Sequence, residues 1–304
     1  MSSLDAELAG DLARPDLPPP HAHAPVRRGF WRAARWPARI AAVVVCALAL
    51  VALLSPWITP HDPNAVDLAI RLQPANAVHW LGTDHLGRDI LSRLMAGATM
   101  SLGSVAIAMA LILTAGMILG GTAGFAGGRV DQAIMRVADV FLTFPTIVMA
   151  LFMVGVLGVG LTNVIIAIAV THWAWYARMV RGIVLSLRRR DFIAASRLAG
   201  ASPAQTFVRH LLPATIAQLL VLATLDIGHI MLHVSGLSFL GLGVTAPTAE
   251  WGVMIADARE YVWTEPLLMF WPGLALFISV MALNTLGDAL RDRLDPSLCA
   301  EHGH

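Results

Sequence analysis

The chain has 304 residues, of which 57% are hydrophobic and only 13% are charged, and its mean hydropathy is +0.69. Soluble domains carry about 25% charged residues, so the composition excludes a soluble globular protein and indicates a protein of the lipid bilayer. The net charge of +1 singles out no partner, and we expect no nucleic acid to bind. Cys46 and Cys299 offer neither a disulfide framework nor metal-ligand spacing, and we interpret both as free thiols.

The chain begins with a polar tail. Residues 1–36 are rich in proline and arginine and cannot bury enough apolar surface to fold alone. The first apolar segment starts only near Ile40 and is not followed by a small-residue cleavage site, which favours an uncleaved span over a secretory signal peptide. Residues 296–304 are interpreted as a second tail, which contains histidines.

Six apolar segments follow the first tail, and they predict an all-α, polytopic membrane protein with six transmembrane helices. They cover residues 40–57, 102–125, 137–159, 164–175, 214–234 and 267–283. The fourth segment is short for a span unless it extends to Ile183, with Arg178 and Arg181 reaching the lipid headgroups from its end. The membrane domain would then cover residues 37–295.

The distribution of arginine predicts the orientation of the chain. With the N-terminus inside, all but four of the 21 basic residues fall on the inner side, and the exceptions are Arg71, Arg88, Arg93 and Arg259. Because cytoplasmic segments carry the excess of basic residues, we expect both termini to be cytoplasmic. Residues 58–101 and 235–266 then form long external loops, and residues 185–213 form a cytoplasmic loop.

The first external loop contains charged residues of both signs. Arg88, Asp89 and Arg93 can form an internal ion-pair set that anchors the loop. His61, His79 and His85 are scattered along the same segment, and we expect no role for them.

The cytoplasmic loop has the pattern of two short helices. Asp191 can cap the first helix and Gly200 ends it, whereas Ser202 can be the N-cap of a second helix with Pro203 at its first position. Leu212-Pro213 then leads into the fifth span. Such a compact knob could seat in a groove of a partner protein, or the loop could be an amphipathic connector on the lipid headgroups. The pattern alone leaves both open.

The fifth segment carries three ionisable residues, Asp226, His229 and His233, at positions i, i+3 and i+7. On a helix they share a stripe roughly 60° wide. Ionisable groups inside a membrane are costly and usually face a cavity or a partner. A carboxylate with imidazoles suits a first-row divalent ion such as nickel, and a weak, multi-site track would let the ion leave again. The alternative is an interhelical hydrogen-bond set with a partner subunit.

No catalytic motif is present. A phosphate-binding Gly-x-x-x-x-Gly-Lys-Ser/Thr loop is impossible because the chain has no lysine, so any ATP must be used by another subunit. We therefore expect that the chain is not an enzyme. An intramembrane hydrolase using Ser235 or Ser238 with His233 is the alternative from another class, and no paired motif supports it.

Four stretches resemble the binding-protein-dependent permeases of ABC importers for dipeptides, oligopeptides and nickel. They are residues 81–93, residues 136–139 with Phe144-Pro145, residues 238–243 with 250–252, and residues 191–213. In the last stretch Gly200, Leu212 and Pro213 match the family's ATPase-coupling loop. Ala194 stands where the family usually has glutamate, so one charged contact to the ATPase is missing.

The resemblance implies a type I ABC importer permease fold that forms half of a heterodimeric pore in the bacterial inner membrane. It implies a second homologous permease, two ATPase subunits that use ATP, and an extracytoplasmic binding protein, with no cofactor bound by this chain. It also implies that the cytoplasmic loop docks on an ATPase. The coupling residues would be Ala195, Arg197, Gly200, Ala201, Ser202 and Pro213.

Residues 225–233, together with residues 172–176, resemble the nickel-transporting branch of this family. Peptide-transporting relatives generally carry uncharged residues at the positions of Asp226 and His229. The resemblance implies nickel, bare or chelated, as the transported substrate. The route would be lined by Asp226, His229, His233 and His172. A peptide or metallophore permease of the same architecture remains the alternative, and we expect no metal binding by the histidine pairs of the two tails.

Overall fold

The computed structural model describes residues 35–245 and 247–294. Residues 1–34 and 295–304 lie outside this range, and with them most of the two predicted tails and all of their histidines. Over the described residues the chain is helical. Its α-helices are α1 Arg35–Ile58, α2 Ile90–Ala126, α3 Gly128–Thr143, α4 Thr146–Leu157, α5 Leu161–Arg188, α6 Asp191–Leu198, α7 Pro203–Thr206, α8 Leu212–Phe239, α9 Trp251–Ala258 and α10 Leu267–Leu294. A π-helical turn, Phe207–Leu211, joins α7 to α8.

Four helices of the described residues are long and apolar enough to cross a membrane, namely α1, α2, the run Pro203–Phe239 and α10. Helix α5 is 28 residues long but more polar. It continues through Ile183, which confirms the predicted extension of the fourth segment. The all-helical prediction is confirmed, and the set of helices is compatible with six spans.

The third predicted span is not one helix. Helices α3 and α4 together have the length and composition of a span, but they meet at an angle of 95°. The break is at Phe144, whose backbone is extended (φ −96°, ψ 142°), directly before Pro145. A proline disfavours the helical conformation of the residue before it and provides no N–H for a helical hydrogen bond. The third predicted segment, residues 137–159, is therefore divided between two helices that meet at a bend.

Helix α2 is longer than its apolar segment. It starts within the segment predicted to be external and continues without a break into the second span, so that the helix has 37 residues. It begins after Asp89, whose carboxylate accepts a hydrogen bond from the backbone N–H of Ser92 and so caps the first turn. The segment between α1 and α2 is thereby connected rigidly to the bundle.

Helices α2 and α5 pack against each other through glycines spaced four residues apart, and we call this contact the α2–α5 seam. A Cβ atom at Gly120 would lie 2.2 Å from the carbonyl oxygen of Ala177, and one at Gly116 would lie 2.6 Å from Cβ of Tyr176. Gly124 approaches the next turn of α5 in the same way. Small residues at this spacing allow close backbone approach between membrane helices.

Two ion pairs connect α3 to α5. Nε and Nη2 of Arg181 donate to the two carboxylate oxygens of Asp131 at 2.5 and 2.6 Å, and Arg178 pairs with Asp139. Both arginines are predicted to reach the lipid headgroups, and each also has a carboxylate partner on the neighbouring helix.

The seam generates a prediction about stability. We expect Gly120→Ala to destabilise the protein by about 1–3 kcal/mol, as overpacked cores are, because the new methyl group meets backbone that cannot move aside. Gly103→Ala on the same helix is the matched control, since a Cβ there meets nothing within 4 Å. The thermal denaturation midpoints of the purified variants measure the difference. Equal midpoints for the two variants would contradict the tight seam.

Candidate metal pathway in the membrane domain

The structure brings the four residues predicted to bind metal into one line, which we call the intramembrane row. Asp226, His229 and His233 follow one another along α8. The rings of His229 and His233 are 4.8 Å apart between centroids. His172 of α5 packs edge-on against His233 at 5.2 Å. The packing of α5 against α8 thus places His172 beside the stripe on α8, and a role of these four residues in metal transport stays a prediction.

Hydrogen bonds set the tautomer of two histidines in the row. Nδ1 of His233 is 2.9 Å from the carbonyl oxygen of His229, and Nδ1 of His172 is 3.2 Å from the carbonyl oxygen of Ile168. A carbonyl oxygen can only accept, so each Nδ1 carries the proton and donates it. Each Nε2 then keeps its lone pair, which is the form of imidazole that binds a metal ion.

The row is open rather than enclosed. His229 is exposed on the surface of the chain, whereas Asp226, His233 and His172 are half-buried. Among the described residues, one group of three potential metal ligands has its ligand atoms within 4.8 Å of one another, and it lies elsewhere. The row therefore does not have the geometry of a closed tetrahedral cage.

Tyr176 is a further residue at the row. Its hydroxyl donates to Oδ2 of Asp226 at 3.0 Å and lies 3.8 Å from Sδ of Met109. The ring is fully buried and packs at the α2–α5 seam. In the sequence Tyr176 stands out only as part of the stretch 172–176. Its spacing of four residues from His172 places the two on one face of α5, which is the signal that could have found it.

The structure does not support the hydrolase alternative. The side chains of Ser235 and Ser238 are buried, and their hydroxyls have no hydrogen-bond partner among the described residues. Nδ1 of His233 is instead engaged by the backbone of α8. A serine nucleophile needs a base within hydrogen-bonding distance, and neither serine has one.

Arg88, which precedes α2, and Arg93, in the first turn of α2, form a buried ion-pair cluster. Their shared partner differs from the one predicted. Nε of Arg88 is 2.6 Å from Oδ2 of Asp84, and Nε of Arg93 is 3.5 Å from the same oxygen. Arg88 also reaches Asp257 of α9 at 3.3 Å. Asp84 therefore holds the place predicted for Asp89, and the cluster connects the α1–α2 segment to α9.

Asp89 is paired with histidine instead. Its Oδ1 is 3.0 Å from Nδ1 of His79, and the ring of His61 lies 4.7 Å from that of His79. Burial alone would raise the pKa of the Asp89 carboxyl, but the hydrogen bonds from Ser92 and from His79 hold that pKa below its usual value. The expectation that His61 and His79 are merely scattered is wrong. The third histidine of the segment, His85, stacks on Tyr261 instead.

The loop that is predicted to be cytoplasmic folds as the sequence predicts. Helix α6 begins at Asp191, and Gly200 has a φ of +86° that L-residues rarely adopt. The hydroxyl of Ser202 caps α7 by accepting from the backbone N–H of Gln205, and Oε1 of Gln205 accepts from the backbone N–H of Ser202. Leu198 is 90% exposed, so the loop presents an apolar side chain to its surroundings.

The predicted coupling residues share this surface. Ala195, Gly200, Ser202 and Pro213 are exposed and Ala201 is half-buried. The side chain of Arg197 lies outside the described part of the structure. The arrangement is an exposed two-helix knob whose second helix continues through the π-helical turn into α8.

Comparison with known proteins agrees with these features. Residues 112–298 match the family model "Binding-protein-dependent transport system inner membrane component", and residues 30–75 match "N-terminal TM domain of oligopeptide transport permease C". A crystal structure of an amino acid ABC transporter with histidines shares the fold at a TM-score of 0.51 and 16% identity, covering 67% of this chain and 95% of that one.

Several curated relatives cover nearly the whole chain. The nickel transport system permease protein NikC of Escherichia coli (strain K12) is 66% identical over 90% of this chain and 99% of its own length. The glutathione transport system permease protein GsiD of Escherichia coli O6:K15:H31 (strain 536 / UPEC) is 41% identical over 88% and 90%. The probable D,D-dipeptide transport system permease protein DdpC of Escherichia coli (strain K12) is 38% identical over 84% and 86%. The chain therefore belongs to the inner membrane permeases of binding-protein-dependent ABC transport systems and is a transport component rather than an enzyme.

Proposed function

We propose that the chain forms one half of the pathway by which an ATP-driven importer carries nickel across the bacterial inner membrane. The observation that carries the proposal is the intramembrane row, in which three imidazoles and a carboxylate line up where two helices meet. Imidazole nitrogen and carboxylate oxygen suit nickel. The 66% identity to a nickel permease over most of the chain supports the same substrate.

The proposed complex contains a second homologous permease, two ATPase subunits that use ATP, and an extracytoplasmic nickel-binding protein. Both termini are cytoplasmic in this arrangement. The exposure of His229 favours a pathway completed by another subunit, because an ionisable group at this depth is unfavourable against lipid. The alternative is that the residues of the row form hydrogen bonds with the second permease and bind no metal.

Nickel would move along the row by exchanging ligands. Unprotonated Nε2 atoms can offer lone pairs at successive positions, and the carboxylate of Asp226 offsets part of the ion's charge. Weak binding at several positions allows release on the other side, whereas a closed site would retain the ion. A peptide or metallophore permease of the same architecture remains the second candidate. In that case nickel uptake would not depend on the residues of the row.

Nickel uptake by assembled complexes tests the row. We expect Asp226→Ala, His229→Ala and His233→Ala each to reduce the uptake of labelled nickel by about tenfold or more, the range typical when groups around a metal are lost. His85→Ala is the matched control, since His85 lies outside the row. Unchanged nickel uptake in all three variants, at equal levels of complex, would remove the metal pathway and favour the second candidate.

Tyr176 is proposed as a positioning residue that acts through Asp226. A hydrogen bond to a charged group contributes about 1.5–3 kcal/mol, so Tyr176→Phe is expected to reduce nickel uptake and to lower the thermal midpoint. In the Asp226→Ala background the same substitution should have little further effect on uptake, because its partner is already absent. Tyr261→Phe serves as the control. Fully additive losses in the double variant would show that Tyr176 acts independently of Asp226.

The exposed knob of α6 and α7 is proposed to seat on an ATPase subunit. Space for a Cβ atom at Gly200 is open, so a large side chain there would project from the knob rather than into the fold. We expect Gly200→Trp to abolish ATP hydrolysis stimulated by the binding protein while insertion into the membrane is retained. Gly200→Asn should keep coupling, since asparagine tolerates the positive φ. A fully active Gly200→Trp complex would overturn the docking proposal.

A further inference from the structure

The segment between α1 and α2 holds a second group of metal-ligating side chains. Nδ1 of His61, Nδ1 of His79 and the carboxylate of Asp89 all lie within 4.8 Å of one another. The individual distances are 3.0 Å from His79 to Oδ1 of Asp89 and 3.8 Å from His61 to Oδ2. The three residues are 18 and 10 positions apart in the sequence, so the fold of the segment, and not local spacing, brings them together.

Hydrogen bonds hold each of the three residues in place. The Ser92 hydroxyl accepts from the backbone N–H of His61 at 3.0 Å and donates to Oδ2 of Asp89 at 2.7 Å. The side chain of Asn76 accepts from the backbone N–H of His79 at 2.8 Å. Asp89 is further fixed as the N-cap of α2. The cluster is therefore organised in advance on a rigid support, as a metal site requires.

One ligand atom of the cluster is unsatisfied. Nδ1 of His61 is buried and has no hydrogen-bond partner among the described residues, although it faces the carboxylate of Asp89. Buried polar atoms nearly always have a partner in native proteins. A cation bound between the two histidines and the carboxylate would be that partner.

We propose that His61, His79 and Asp89 form a metal site for a first-row divalent ion. Two imidazoles and one carboxylate on one side of an ion leave its other positions open. Metal–ligand distances of about 2.0–2.2 Å place neighbouring ligands about 3 Å apart, which the His79–Asp89 distance already meets. The His61 ring needs only a small rotation toward Asp89. Its side chain is 35% exposed, so an ion can enter and leave.

This site is separate from the intramembrane row and does not depend on nickel being the transported substrate. It lies in the segment predicted to be external, and it shares no residue with the row on α5 and α8. An ion bound here would be accessible to solvent and exchangeable. The two sites can therefore be tested independently, one by binding and the other by uptake.

Metal binding to the purified full complex, prepared without a histidine tag, tests the proposal. The probes are Co²⁺, followed by its visible absorption, and Ni²⁺, followed by equilibrium dialysis. We expect His61→Phe and His79→Gln each to lose one equivalent of metal per chain relative to the unmodified protein. Phenylalanine at position 61 keeps a ring against His79 but cannot bind metal, and glutamine keeps a polar group beside Asp89, which favours folding of both variants.

His85→Ala is the matched control, and it should retain that equivalent because His85 stacks on Tyr261 outside the cluster. The triple variant Asp226→Ala, His229→Ala, His233→Ala should also retain it, even where its nickel uptake is lost. Histidines of the tails contribute equally to every variant and cancel in the comparison. An unchanged number of bound Co²⁺ and Ni²⁺ ions in a folded His61→Phe complex would overturn the proposal, whatever happens to uptake.

Discussion

The close contact of α2 with α5 determines where the ionisable groups of the membrane domain lie. Glycines at 116 and 120 bring the backbones so near that Tyr176 packs directly on α2, and the hydroxyl of Tyr176 in turn holds Asp226 of α8. Inside a bilayer the burial of apolar surface between helices gives little driving force, so packing and hydrogen bonds set helix positions. The geometry of the intramembrane row therefore depends on the absence of a side chain at Gly116 and Gly120.

Charged groups fix the bundle on either side of the row. Arg88 and Arg93 share Asp84 and connect the α1–α2 segment to α9, while Arg181 and Asp131 join α5 to α3. Breaking a buried ion pair by removing one partner typically costs about 3–5 kcal/mol, so the first cluster is a strong attachment. Between these attachments α8 carries the row with an open side, which is where a second subunit can complete it.

Much of this architecture could be predicted from the sequence, because it depends on local pattern. Apolar runs located the long helices, the serine before Pro203 identified a cap, and helical periodicity aligned Asp226 with His229. The bend before Pro145 was missed because the residues on its two sides together have the length and composition of one span. The His61–His79–Asp89 cluster was missed for a different reason. Its segment has no periodicity, and a chain of turns can bring distant residues together in ways that spacing does not encode.

The π-helical turn at Phe207–Leu211 gives the chain a property that an unbroken α-helix would lack. A π turn accommodates one extra residue, and such turns are frequent at functional sites. Adding or removing one residue rotates everything beyond it by about 100° around the helix axis. The direction in which Asp226 points, relative to the knob that begins at Asp191, thus depends on a single backbone residue. The π-helical turn determines how the residues of α8 are rotated about the helix axis relative to that knob.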